Sequence, residues 1–208
     1  MPQITPNTAF GAALASLAEN PLYKVFVETG TFDGEGSTKC LVDVLEKRDD
    51  LSGGGLFSFE ANKTLWMVAT RYWKDKNPPL RIIWARLTER MMSEEKIREH
   101  PLFSAVEDHF NLYYKRELDD FLAAPLVRMR RCDVAVLDSG EFCGEGELEA
   151  ILTAKPKVIA LDDIRVMKHS GSVKRLEALG WKRVWETEER NGSAIYTAPE
   201  ESVAPVEA

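Results

Sequence analysis

The sequence predicts a single α/β domain on a doubly wound, seven-stranded sheet, parallel except for one antiparallel strand in a C-terminal hairpin. Three observations carry this. Short β-rich apolar runs alternate with amphipathic stretches of helical period, the pattern of βαβ units with right-handed crossovers. The runs are apolar almost throughout, as parallel strands covered on both faces are. The last two runs are joined by only four residues, EERN, with Asn191-Gly192 as a turn signal.

Residues 8–18, ended by Asn20-Pro21, read as a lead-in helix with Phe10, Leu14 and Leu17 inward. The first strand is KVFVE at 24–28, followed by a helix whose Cys40, Leu41, Val44 and Leu45 share one face. The second strand is GLFSFE at 55–60, and Leu65, Ala69, Tyr72 and Trp73 mark the next helix. The third strand is RIIWA at 81–85. The connection that follows, 86–131, is far longer than one crossover needs. Between its breaks at His100-Pro101 and Ala124-Pro125, Phe103, Val106, Phe110, Tyr113, Leu118 and Phe121 fall at helical spacing. This helical insertion is either an extra helix packed on the domain or a cap over a pocket. The fourth and fifth strands are DVAVLD at 133–138 and KVIALD at 157–162. A helix with the stripe Val173, Leu176 and Leu179 follows and stops at Gly180. Residues 182–187 and 192–197 form the hairpin. The domain is expected to span 1–198, with 199–208 a disordered tail.

At 208 residues the chain is one domain's worth. Its 27 basic against 34 acidic residues leave a net charge of −7, which argues against a general nucleic-acid binder. There is no apolar run long enough for a membrane span and no signal-like N-terminus, so a cytoplasmic protein without a membrane partner is expected. Cys40, Cys132 and Cys143 form no CxxC pair, which leaves reduced thiols as the expectation rather than a disulfide framework or a zinc site.

Ligands of open α/β sheets sit outside the carboxyl ends of the strands. After the first strand the chain reads ETGTFDGEGST, with glycines at 30, 34 and 36 that let the backbone turn tightly beside a ligand. The spacing is GxxxGxG, so the GxGxxG fingerprint of an NAD(P)-linked oxidoreductase is missing, and no lysine stands where a Walker loop needs one. Glu60, at the end of the second strand, suits a vicinal diol. The fourth and fifth strands deliver Asp138, Asp162 and Asp163 to one rim. An oxygen-only set of this kind favours Mg²⁺, or else Ca²⁺ or Mn²⁺. The other reading has Asp162 and Asp163 capping the next helix or bonding to Arg165 and Lys168.

Glu28, Gly30, Thr31, Phe32 and Gly34 give the stretch an E-x-G-T-[FY]-x-G opening. It resembles motif I of the class I S-adenosylmethionine-dependent methyltransferases, particularly the small-molecule O-methyltransferases, and the resemblance runs from about residue 25 to 197. It implies a Rossmann-like fold and S-adenosyl-L-methionine as cofactor, held by Glu28, Gly30, Thr31, Phe32, Gly34 and Ser37, with Glu60 on the ribose hydroxyls. The Asp138, Asp162 and Asp163 set is similar to the magnesium site of catechol-type and sugar-tailoring O-methyltransferases. It departs from them in carrying Glu141 where the catechol enzymes have lysine, and Asp-Asp where many relatives have Asp-Asn. DSGEFCGEGE and LDDIRVMK also resemble a group of bacterial and plant class I methyltransferases, through Asp138, Gly140, Glu141, Phe142, Gly144, Glu147, Asp162, Asp163 and Lys168.

The implied reaction is methyl transfer to a small-molecule acceptor, a hydroxyl of a sugar or secondary metabolite, with Mg²⁺ as an optional second cofactor. Glu141 and His169 are the candidate bases, with Asp138 beside them, and Lys168 is a candidate for holding an acidic substrate group. Trp66, Trp73 and Trp84 read as core or adenine-side packing, and the run 128–131 as a solvated loop or a steering patch. A non-catalytic cofactor-binding module and a homo-oligomer both stay open.

Overall fold

The computed structural model describes residues 4–199, so the expected tail lies outside the described residues except at its first position. One sheet holds seven strands in the order β3-β2-β1-β4-β5-β7-β6. They are β1 (Val25–Thr29), β2 (Gly55–Glu60), β3 (Leu80–Trp84), β4 (Val134–Leu137), β5 (Val158–Asp162), β6 (Lys182–Thr187) and β7 (Ser193–Thr197). The first five pair in parallel, and β7 runs antiparallel to both β5 and β6. Every residue of the central strands β1, β4 and β5 is buried, which explains their unbroken apolar runs.

Alternate residues of these strands feed opposite cores. Phe26, Val134, Val136, Val158 and Ala160 pack under α1 (Ala9–Glu19), α2 (Ser37–Leu45) and α3 (Lys63–Trp73) through Leu14, Leu41, Leu45 and Trp73. Val27, Ala135, Leu137, Ile159 and Leu161 pack on the other face, against Leu148, Ile151 and Leu176. The last three belong to α6 (Gly144–Leu152) and α7 (Met167–Ala178). The first helix opens as its sequence implies, with Thr8 accepting a hydrogen bond from the Gly11 N–H.

The insertion holds α4 (Glu94–Arg98), two 3₁₀ turns at 103–105 and 107–109, and α5 (Phe110–Ala123). The expected apolar stripe is therefore continuous only from Phe110 onward. Tyr113, a member of that stripe, is half exposed. Ile97, Phe110, Phe142 and Met167 form a small third core that seats the insertion at the carboxyl end of the sheet. Leu179 departs from its stripe and is 39% exposed. Gly180 takes φ +77°, and the Trp181 N–H closes on the Leu176 carbonyl, ending the helix before Leu179 can turn inward. Among the described residues no helix is long and apolar enough to cross a membrane.

Candidate active site

A cleft of about 450 Å³ opens beyond the carboxyl ends of β1, β2, β3 and β4, with α5 as its remaining wall. Its floor is the turn after β1. Gly30 has φ +85°, and a Cβ there would sit 2.3 Å from the Asp138 carbonyl oxygen. Only glycine lets the two strand ends close to this distance. The turn is pinned to β2: the Gly30 N–H donates to the Phe59 carbonyl at 2.9 Å, and Thr31 Oγ1 lies 2.6 Å from Ser58 Oγ. Phe32, at φ +54°, donates its N–H to Glu60 Oε2 at 2.8 Å, and the Asn62 N–H reaches Glu60 Oε1 at 2.9 Å. Burial pushes the Glu60 carboxyl up to about 7, against the pull of these two amides.

Of the sequence-predicted cofactor residues, Gly30, Thr31, Phe32, Ser37 and Glu60 line the cleft; Glu28 and Gly34 do not. Glu28 is wholly buried behind the turn, where it accepts from Thr38 Oγ1 at 2.6 Å and from Ser58 Oγ. It braces the start of α2 against β2, and burial raises its pKa. Gly34 (φ +84°) is backed by the Trp73 indole, whose Nε1–H donates to its carbonyl at 3.0 Å. Both residues position the turn without touching its contents. Trp66 and Trp84 also stay outside the lining, their rings 6.5 Å apart. Arg128 is a solvated side chain paired with Glu89.

Asp138, Asp162 and Asp163 do converge, each offering an oxygen within 4.8 Å of the others. Only Asp138 reaches the cleft. Lys168 Nζ lies between them, 2.7 Å from Asp138 Oδ1 and 2.9 Å from Asp163 Oδ2. Asp163 Oδ1 accepts from Asn191 Nδ2 at 2.9 Å. Asp162, fully buried, takes Ser193 Oγ at 2.6 Å and Arg190 Nη1 at 2.8 Å. Burial works against charge on Lys168, but the two aspartates more than offset it and hold the ammonium well above its usual range. A hard divalent cation needs several free oxygen ligands and room for water. Here both oxygens of Asp162 and Asp163 are engaged and an ammonium stands between the acids, so the set does not fit Mg²⁺. Lys168 is equally unable to grip an acidic substrate group, being buried outside the cleft lining.

His169 is also displaced from its expected role. It is fully buried in the first turn of α7 against Gly144, with Nδ1 3.2 Å from Ser172 Oγ. Burial pushes its pKa down to about 3, so the imidazole stays neutral. Glu141 does line the cleft. Its carboxylate meets the backbone N–H groups of Met167 and Lys168 at the start of α7, while Oε1 is buried with no partner among the described residues.

The groups that sequence reasoning missed come chiefly from α5: Arg116, Glu117 and Asp120 face the cleft, beside Tyr113 and Phe121 of the expected stripe. The Glu117 carboxylate accepts the backbone N–H groups of Glu141 (2.9 Å) and Phe142 (2.8 Å), tying α5 to the loop after β4. Burial pushes Glu117 to about 7. Asn62 donates to Asp120 across the cleft mouth at 2.8 Å. The spacing 113, 117, 120, 121 is a helical stripe, and it was the signal available for these residues. In all, seven carboxylates and three arginines line the cleft, which therefore favours neutral or cationic contents over acidic ones.

Gly30→Ala tests the floor of the cleft. The substitution combines left-handed strain of roughly 1–2 kcal/mol with a clash against backbone that cannot swing aside. A lower melting temperature together with loss of ligand binding is expected by calorimetry; unchanged values would show that the turn has slack.

No family model and no curated protein matches the chain. Solved structures do. A Podospora anserina methyltransferase, PaMTH1, solved with SAH bound, aligns with TM-score 0.58 at 11% identity, covering 91% of this chain and 78% of that one. The O-methyltransferase TomG of Streptomyces achromogenes, involved in tomaymycin synthesis and solved with SAM, aligns with TM-score 0.52 at 16% identity, covering 91% and 79%. An O-methyltransferase of Bacillus cereus in complex with SAH aligns with TM-score 0.51 at 16% identity, covering 91% and 80%. The fold is thus that of the class I methyltransferases.

Proposed function

We propose that this chain is an S-adenosylmethionine-dependent methyltransferase acting on a hydroxyl of a small molecule, a sugar or a secondary metabolite, in the cytoplasm. The observation that carries the reading is Glu60 beside the 30–32 turn. Each Glu60 oxygen takes one backbone N–H and has the capacity for a second donor, one for each hydroxyl of a ribose, and the residue lines the cleft. The cleft volume lies within the range of small-ligand sites, roughly 300–1,000 Å³. Its acidic lining tolerates a sulfonium. S-adenosylmethionine, when bound, supplies an activated methyl group and a neutral thioether leaving group.

The chain's own part is alignment and proton removal. Glu141 is the group placed to take the hydroxyl proton, since it lines the cleft and burial raises its basicity. Helix α5 acts as the cap that holds the acceptor and excludes water, fastened at its base by Glu117. The free, buried cysteines agree with a reducing compartment.

S-adenosylhomocysteine at about a hundred times its Kd should raise the melting temperature by roughly 5–10 °C, and NAD(P) should not. A shift with NAD(P) alone would replace this reading by the oxidoreductase, and cofactor binding with no methylated product from any acceptor pool would leave a binding module.

Binding and stability should respond to pH in opposite directions. Glu60 accepts two hydroxyl protons best as a carboxylate, so affinity rises with pH up to about 7 and falls up to about tenfold per unit below it. Glu60 and Glu117 titrate near 7 in the fold against an ordinary 4.5, so the folded chain holds their protons longer than the unfolded one. The ligand-free protein therefore loses stability as pH rises from 4.5 to 7. Calorimetry across that window checks both slopes.

A further inference from the structure

We infer that the Lys168 ammonium stands where a divalent cation would otherwise sit between Asp138, Asp162 and Asp163, so that the chain works without a metal. Three carboxylates this close cannot all stay ionised without a compensating cation. The cation is supplied by the chain itself. Lys168 enters one turn beyond Asp163 with its side chain only 7% exposed, and its Nζ donates at charge-assisted distances to one acid from each strand end. The hairpin completes the shell: Arg190 neutralises Asp162, Ser193 occupies its other oxygen, and Asn191 takes the second oxygen of Asp163. Three acids thus meet two cations, and no pair of oxygens on Asp162 and Asp163 is left open. A metal would have to expel an ammonium that is walled in by the fold.

The arrangement makes Lys168 a positioning residue. It fixes the rotamer of Asp138, the one member of the trio on the cleft wall. A magnesium ion would have fixed the same group while also binding acceptor oxygens directly. Here the acceptor hydroxyl must instead be held by side chains, which makes Glu141 its proton acceptor in place of a metal-acidified oxygen. The catalytic consequence rests on the methyl-transfer reading; the metal-binding consequence does not.

The test is a Mn²⁺ titration of chelator-treated protein, followed by the electron paramagnetic resonance signal of free Mn²⁺. The wild-type chain should leave Mn²⁺ free up to about 1 mM, a range in which weak oxygen sites fill. Lys168→Ala should bind one equivalent, and adding Asp163→Asn should abolish that binding. One equivalent bound by the wild type and lost in Asp163→Asn overturns the inference, and so does a folded Lys168→Ala that binds none. If Lys168→Ala does not fold without metal, its melting transition in about 1 mM Mn²⁺ gives the same reading: a recovered transition supports the inference and none overturns it. A merely structural lysine would give no gain of Mn²⁺ stoichiometry. S-adenosylhomocysteine affinity, measured on the same wild-type sample, reports on the methyl-transfer reading separately.

Discussion

Glu60→Ala should weaken S-adenosylhomocysteine binding by roughly two to four orders of magnitude without lowering the melting temperature of the empty protein. Each hydrogen bond from a ribose hydroxyl to a carboxylate contributes about 1.5–3 kcal/mol. Losing two of them costs about 3–6 kcal/mol, at about 1.4 kcal/mol per tenfold in affinity. The stability side runs the other way. Burial that pushes Glu60 to about 7 means the folded protein bears a penalty for its charge, which alanine removes. The two amides that it releases, of Phe32 and Asn62, adjoin the cleft, where water can serve them. A site strained for its ligand in this way trades stability for function. Titration calorimetry with differential scanning on the same variant separates the two effects. An affinity loss below about tenfold would remove Glu60 from the ribose.

The sheet was legible because its evidence is local. Apolar runs of five or six residues, helical stripes between them and a single turn signal suffice to order β1 to β7, and each strand falls within a residue or two of its expected place. The site was legible only as far as backbone motifs reach. A glycine-bearing turn announces itself, but the motif does not say which of its side chains face the ligand. The period-2 alternation of β1 sends Glu28 under α2, where Thr38 and Ser58 hold it, although it belongs to the same motif as Gly30. At the start of α7 one residue decides the matter: Lys168 reaches the aspartates while His169 turns into the space beside Gly144. The choice between a metal and Lys168 among the three acids is a tertiary question, since both use the same residues at the same spacing. Glu117 shows a different limit. Its helix was foreseeable, but its phase was not, because the apolar residues before Phe110 belong to two 3₁₀ turns and shift the stripe.

Lys168→Met should cost about 3–5 kcal/mol of folding stability, the loss that follows when one partner of a buried ion pair is removed. For a chain of this length that is roughly 10 °C in melting temperature. The side chains are similar in length and methionine can fill the channel, so cavity formation contributes little. What remains is electrostatic: Asp163 would face Asp162 with only Arg190 in opposition, and Asp138, which burial already pushes up to about 7 beside the lysine, would be driven towards its protonated form. That makes the effect strongly non-additive. Asp163→Asn alone removes an acid that Lys168 needs, yet in the Lys168→Met background it removes repulsion, so the double variant should recover part of what Lys168→Met loses. Urea unfolding of the four proteins gives the coupling directly. Additive losses would mean that Lys168 is held by packing alone, and the reading of the trio as a lysine-neutralised cluster would fail with it.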